Sequence, residues 1–431
     1  MKSKHTKETS MNKVLFMLLI FLIVGAVFLY FNRSTENSKL SSTTDSEQVS
    51  SEDIIEPEPI PEDINVTMSV IGDIMCHDSQ YKDAYVKATD SYDFSYVFSD
   101  IQKYIQVSDI AVGNLETTFA GKDRGYSNYP TFNTPEQLAY NLKTLGMDVL
   151  STANNHSLDK GYKGIVSTLD FLDDAGIAHT GTYRTAEEQN QITIQNVNGI
   201  TMAFLSFTYG TNGIPIPSGK DYCVNLIDED LIVSQINLAK EQNPDIICVF
   251  MHWGVEYKTK QNKEQEKLAD LLFKNGVDLI LGGHPHVLQP MEKREITLDD
   301  GTTKDGFIVY SLGNFISGQN TLPRQSSAIL NIGITKNGVT GKISIDEATY
   351  VPVYMYRAPN TGRLQRYKLL DIEANIAKYE SGEDTSLGKT TYNTIKQALS
   401  DITGILGQEI IASEATSSES ITNENSSNTT E

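Results

Sequence analysis

Between residues 65 and 314, short apolar runs alternate with helix-length segments, and this alternation limits the fold more than any other feature. The runs are NVTMSVIG (65–72), DIAVGN (109–114), MDVLSTAN (147–154), ITMAFLSF (200–207), DIICVFM (245–251), VDLILGG (277–283) and GFIVYSLGN (306–314). They are rich in Val and Ile, as strands covered on both faces are. Thr134, with Pro135 at the first helical position and Gln137 beyond it, predicts a capped helix that Gly146 stops. Segments 161–176 and 262–276 end at Gly176 and Gly276, which suit the left-handed residue after a helix. Strand and helix in alternation give an α/β sheet covered on both sides. NIGITKNGVTGKISI reads as a β-hairpin around Asn337-Gly338, which predicts an antiparallel second sheet joined to the first.

Polar residues follow the runs closely. Asp73 ends the first in GDIMCH, Glu116 the second in GNLE, and Asn154, Asn155 and His156 the third. His252 closes the 245–251 run, and His284 and His286 follow 277–283 in GGHPH. Ligands of open α/β sheets bind at the carboxyl ends of strands, so these five loops can converge on one site. Each has an ordinary reading too: Gly-Asp as turn chemistry, Asn155-His156 as turn and cap residues, His252 beside Trp253 as a packed imidazole. GGHPH is more specific, because two imidazoles one residue apart can address neighbouring metal ions. Together the carboxylates, amide oxygen and imidazoles form a mixed N/O set suited to divalent Mn, Fe or Zn. His77, His156, His252, His284 and His286 fall in or beside these loops, five of seven histidines in the chain. The inventory is large enough for two ions with a bridging carboxylate.

The termini have another character. Residues 14–31 form an uncharged apolar run at the lower limit for a membrane span, with Lys2, Lys4, Lys7 and Lys13 before it and Arg33 after it. The positive-inside rule keeps the N-terminus cytoplasmic and turns the remainder outward. A cleaved signal peptide is the competing reading, although Leu29, Tyr30, Phe31 and Asn32 offer no small-residue cleavage site. Residues 34–64 carry nine acids and one base, Lys39, and end in a Pro-Glu repeat that extends by self-repulsion. The net charge of −21 excludes the basic surface that nonspecific nucleic-acid binding needs. Three cysteines provide no disulfide framework.

GDIM (72–75), NLETT (114–118), ANNHSLDKG (153–161), HWGVEY (252–257), GGHPHVLQP (282–290) and YSLGNFISGQ (310–319) resemble, in order, the motifs of the CapA family of bacterial capsule and poly-γ-glutamate synthesis proteins. The resemblance implies an α/β fold: a metallophosphoesterase-like sandwich of two mixed β-sheets flanked by helices, behind an N-terminal transmembrane helix. The expected plan is a cytoplasmic N-terminus (1–13), a signal anchor (14–31), a stalk (32–64), the CapA-like domain (65–375), a helical region (376–411) and a polar tail (412–431). It further implies two divalent metal ions. Asp73 and His286 would bind the first, Asn155, His252 and His284 the second, and Glu116 would replace a bridging aspartate. His156 would be the general acid or an electrostatic stabiliser of the leaving group, with Asp159 either orienting it or capping a helix. The wider metallophosphoesterase pattern has His where Met75 stands, and His77, four residues after Asp73, is the candidate substitute. Glu256 either contacts substrate or caps a turn, and Asn314 is a candidate hydrogen-bonding partner. The implied function is capsule or poly-γ-glutamate synthesis or export at the cell membrane, through hydrolysis of a phosphoester or other anionic bond. The alternative is a non-catalytic metal-binding scaffold or anchor subunit. The partners implied are the cytoplasmic membrane, an anionic envelope polymer or its precursor, and other subunits of a synthesis complex, with no nucleic acid.

Overall fold

A computed structural model describes residues 61–298, 301–361, 364–384 and 386–411. The 14–31 span, nearly all of the stalk and the 412–431 tail lie outside the described residues. Among the described residues no helix is long and apolar enough to cross a membrane.

In chain order the strands are β1 (Ile64–Ile74), β2 (Tyr85–Val86), β3 (Ser91–Tyr92), β4 (Ile110–Leu115), β5 (Val149–Ser151), β6 (Ala178–Thr180), β7 (Thr193–Val197) and β8 (Ile200–Thr208). They continue with β9 (Ile246–His252), β10 (Leu279–Gly283), β11 (Leu288–Thr297), β12 (Thr303–Leu312), β13 (Asn314–Ile316), β14 (Ser326–Lys336), β15 (Ile343–Arg357) and β16 (Tyr367–Asp371). One sheet runs β16-β15-β14-β1-β4-β5-β6, with β13 pairing the end of β1, and the other runs β11-β12-β10-β9-β8-β7. Both are mixed. The β1-β4-β5-β6 and β8-β9-β10-β12 stretches are parallel, and the flanking pairs are antiparallel.

Alternation along the strands builds the layers. Met202 and Phe204 of β8, and Ile246, Cys248 and Phe250 of β9, face the inter-sheet core with Val66, Met68 and Val70 of β1. Their neighbours Leu205, Phe207, Val249 and Met251 face outward, under helices Glu229–Glu241 and Lys263–Lys274. On the other outer face, Ile71 and Ala111 meet Leu138, Leu142 and Leu145 of helix Gln137–Leu145. Helix Gly388–Leu406 delivers Ile395, Ala398, Ile402 and Leu406 to the same inter-sheet core as β1. Such burial on both faces is why these runs carry no regular polar stripe.

Two expectations need correction. The helix expected to start at Pro135 starts at Gln137, because the Thr134 hydroxyl is paired with that of Thr117 at 2.7 Å instead of capping. Gly146 does take the left-handed conformation that ends it. The 326–357 hairpin is antiparallel, but it extends the sheet containing β1 and does not found a second one. Asn337 opens its 337–342 loop, its Oδ1 accepting from the Val339 and Thr340 amides at 3.2 and 2.8 Å.

Close strand contact fixes one position. A Cβ on Gly282 would lie 1.9 Å from the Tyr310 carbonyl oxygen, so β10 and β12 would have to separate. Gly282→Ala is expected to cost about 3 kcal/mol or more in stability, read from the urea midpoint. An unchanged midpoint would contradict this packing.

Candidate metal centre

The irregularity in β1 aims the first ligand. Pairing between β1 and β4 shifts register between Val70 and Asp73, and a bulge of this kind redirects the side chain that follows. Asp73 is fully buried; its Oδ1 accepts from Asn114 Nδ2 at 2.8 Å and its Oδ2 from the His284 amide at 3.1 Å. A Cβ on Gly283 would sit 2.5 Å from Asp73 Oδ1, so the second glycine of GGHPH makes room for this carboxylate. His284 and His286 hold φ values of 97° and 58°, a conformation costing non-glycine residues about 1–3 kcal/mol each and tolerated where function requires it.

The strand ends bring the expected ligands together. Ligand atoms of Asp73, Glu116 and His286 all lie within 4.8 Å of one another, and so do those of Glu116, His252 and His284. Glu116 belongs to both groups. Asn155 joins the second, its Oδ1 lying 2.7 Å from His252 Nε2. Asn114 Nδ2 reaches His252 Nδ1 at 3.3 Å as well as Asp73, and so ties the two groups together.

Both Glu116 carboxylate oxygens are buried without a hydrogen-bond partner, as are His284 Nδ1, His286 Nδ1 and Asn114 Oδ1. Buried polar atoms are rarely left unsatisfied, and an unpaired carboxylate is among the most costly. A divalent cation satisfies this donor set, so the residues fit the metal that the sequence implied. Burial pushes the Glu116 carboxyl up to about 8 and the His252 and His284 imidazoles down to about 3 and 2. Burial opposes protonation of His286 too, but Glu116 and Asp73 beside it prevail and raise it to about 9. His252 and His284 are thus neutral, the form of imidazole that binds metal.

His156 sits apart from both groups. Its Nδ1 is 2.7 Å from Asp159 Oδ2, which also accepts from the Phe132 amide at 2.6 Å, and the Phe132 ring packs edge-on at 4.7 Å. Helix Gly161–Ala175 has no side-chain cap, so of the two readings of Asp159 the structure has the orienting one. Its second nitrogen, Nε2, has among the described residues a single 3.5 Å contact, from Asn212 Nδ2.

Other candidates lie elsewhere. His77 does not stand in for the histidine of the wider metallophosphoesterase pattern: its Nδ1 accepts from the Gly318 amide at 3.0 Å, and it is in neither ligand group. Met75 is buried, and Cys76 is buried in an apolar cluster, where burial raises its thiol to about 12. Glu256 is exposed in a turn. Asn314, in register with Asp73, donates through Nδ2 to Gln319 Oε1 at 3.2 Å and the Arg324 carbonyl at 3.1 Å, and its Oδ1 is buried without a partner. Three residues at the site were not foreseen: Asn114, Tyr209 and Asn212. Asn114 precedes Glu116 by two on one strand, so period-two alternation points it the same way. Tyr209, whose ring is 4.4 Å from that of His284, follows β8 just as the other candidates follow their strands.

Fold and site together define a two-sheet α/β sandwich with a buried carboxylate–imidazole cluster of candidate metal ligands. Residues 67–319 match the family described as bacterial capsule synthesis protein PGA_cap, and the chain belongs to that family. It is 32% identical over 287 residues to the capsule biosynthesis protein CapA of Bacillus anthracis, covering 64% of this chain and 66% of that protein. It is also 32% identical over 297 residues to the PGA biosynthesis protein CapA of Bacillus subtilis, covering 67% of this chain and 74% of that one. The chain thus spans just under two thirds of the first relative's length. Among solved structures, the calcineurin-like phosphoesterase YfkN of B. subtilis aligns with a TM-score of 0.39 at 14% identity, covering 79% of this chain and 98% of that one. The NAD nucleotidase of Haemophilus influenzae gives 0.42 at 14%, covering 79% and 60%. At these scores the likenesses carry no functional weight.

Proposed function

We propose that this protein is a membrane-anchored, outward-facing component of capsule or poly-γ-glutamate synthesis or export, and that its centre holds two divalent ions for hydrolysis of a phosphoester or another anionic bond. The single observation that carries the reading is the sharing of Glu116 by two ligand groups, with both of its oxygens otherwise unpartnered. Asp73, Glu116 and His286 hold one ion; Glu116, Asn155, His252 and His284 hold the other. When bound, the ions supply Lewis acidity and a template for an anionic ester. His156, held through Nδ1 by Asp159, presents its remaining nitrogen to the departing oxygen as proton donor. Phe132 packs against that imidazole and limits its rotation. The names of the two CapA relatives supply the polymer, and the apolar 14–31 run behind four lysines supplies the topology.

Full-length protein incubated with Mn²⁺ and desalted is expected to retain two equivalents by elemental analysis and to turn over a model phosphodiester. No retained metal would refute the centre. Two equivalents without turnover across a phosphatase and phosphodiesterase panel would favour the scaffold reading. That reading has its own support in Met75, which leaves the Asp73–His286 side one ligand poorer than the wider metallophosphoesterase pattern. Topology is tested separately: protease added to wall-stripped cells should shed a fragment beginning within 32–64, and protection of the domain would refute outward display.

A further inference from the structure

Arg324 stands at the rim of the centre with its charge unspent. Its guanidinium carbon lies 3.8 Å from the centroid of the Tyr257 ring, a cation–π contact. No carboxylate among the described residues reaches it within ion-pair distance, a condition it shares with Arg124 and Arg357, whereas Arg184, Arg294 and Arg366 each engage an acid. Both members of the stack are fixed to the ligand loops. The Tyr257 amide donates to the Pro285 carbonyl at 2.8 Å, and its ring centroid is 6.2 Å from that of His286. The Arg324 carbonyl accepts from Asn314 Nδ2, and Asn314 pairs in register with Asp73. Guanidinium and His286 are therefore only one aromatic ring apart, on two loops tied to the same strand ends.

We propose that Arg324 is a specificity-determining residue that binds a second anionic group, a carboxylate or phosphate, on the substrate whose first anionic group is held at the metal centre. This deepens the function proposed above and rests on it. A guanidinium presents a planar fork that grips such a group through two parallel hydrogen bonds, and stacking on Tyr257 holds the fork in place. The protein carries −21 net charge, and Glu256 adds an exposed carboxylate at this rim, so a polyanion meets general repulsion here. Discrimination then rests on local cations. An ester with one anionic group would use the metal alone, while a polymer bearing regularly spaced charges would also engage Arg324.

The test uses the full-length, Mn²⁺-loaded protein and calorimetric titration with three probes: inorganic phosphate, a γ-linked glutamate hexamer and a short polyphosphate. Arg324→Gln is expected to weaken the better-bound oligomer by about tenfold to a hundredfold while phosphate affinity stays within about twofold. Arg324→Lys keeps the charge without the fork and should recover only part of the loss. Whichever oligomer responds identifies the second group as carboxylate or phosphate. Unchanged metal content in both variants reports an intact fold. If both oligomers bind Arg324→Gln as tightly as the parent while phosphate still binds, the role of Arg324 is overturned and the centre stands. If the parent binds no phosphate, the metal-site reading falls and this inference with it.

Discussion

Glu116→Gln is expected to strip metal from the protein and, in the same experiment, to make the metal-free form more stable. The two effects share one cause. Glu116 is fully buried and neither carboxylate oxygen has a hydrogen-bond partner, with only His252 Nε2 and His286 Nε2 at 3.5 and 3.7 Å from Oε1. Without metal the fold therefore carries a poorly satisfied carboxyl in a dry site. Replacing it with a neutral isostere removes that penalty, which should raise unfolding free energy in chelator by about 1–3 kcal/mol. The same change deletes the one negative group common to both ligand sets. Changes outside the ligand shell already cost about 10–100-fold in metal affinity, so losing this charge should cost more than about 100-fold. Elemental analysis and urea melts in chelator check the two halves. A variant that keeps its metal, or one that is less stable without it, would contradict the shared, unpaired placement of Glu116.

His156→Ala is expected to do the reverse: metal content unchanged, turnover reduced by about 10²–10⁴-fold. The imidazole stands outside both ligand groups, locked by Asp159 on one nitrogen and packed by Phe132. Removing it takes away a proton donor and no ligand. Measured beside His252→Ala, which should lose metal, the pair separates chemistry from coordination. An empty centre in His156→Ala would mean that His156 is a ligand and that its assigned role is mistaken.

Much of this was legible in the sequence because the chemistry lies where strands end. The apolar runs located β1, β4, β8, β9, β10 and β12, and the polar residues after them named Asp73, Glu116, Asn155, His252, His284 and His286 before any geometry was known. What stayed hidden depends on contacts between distant segments. Thr134 looks like a cap until Thr117 arrives to claim its hydroxyl. Asp159 serves equally well as cap or orienting group until the helix is seen to begin at Gly161. His77 is near enough in sequence to replace the missing histidine, but the Gly318 amide takes its Nδ1. The hairpin at 326–357 announces itself locally, but nothing local says that β14 will lie against β1, since that pairing joins Met68 to Ile332.

That pairing also dictates an order of assembly. β1, the strand that aims Asp73, is central in its sheet, with β4 on one side and β14 on the other. One neighbour is made within some forty residues of it, and the other only when Ser326–Lys336 exists. Contacts so far apart in the chain form slowly. During synthesis β1 therefore has an open edge along Ile64–Val70 until most of the polypeptide has emerged, whereas its Asp73 end is covered earlier, by Asn314 of β13. The segment that closes the Ile64–Val70 edge lies beyond residue 319, outside the stretch that matches the family, while the strand beside Asp73 lies inside it.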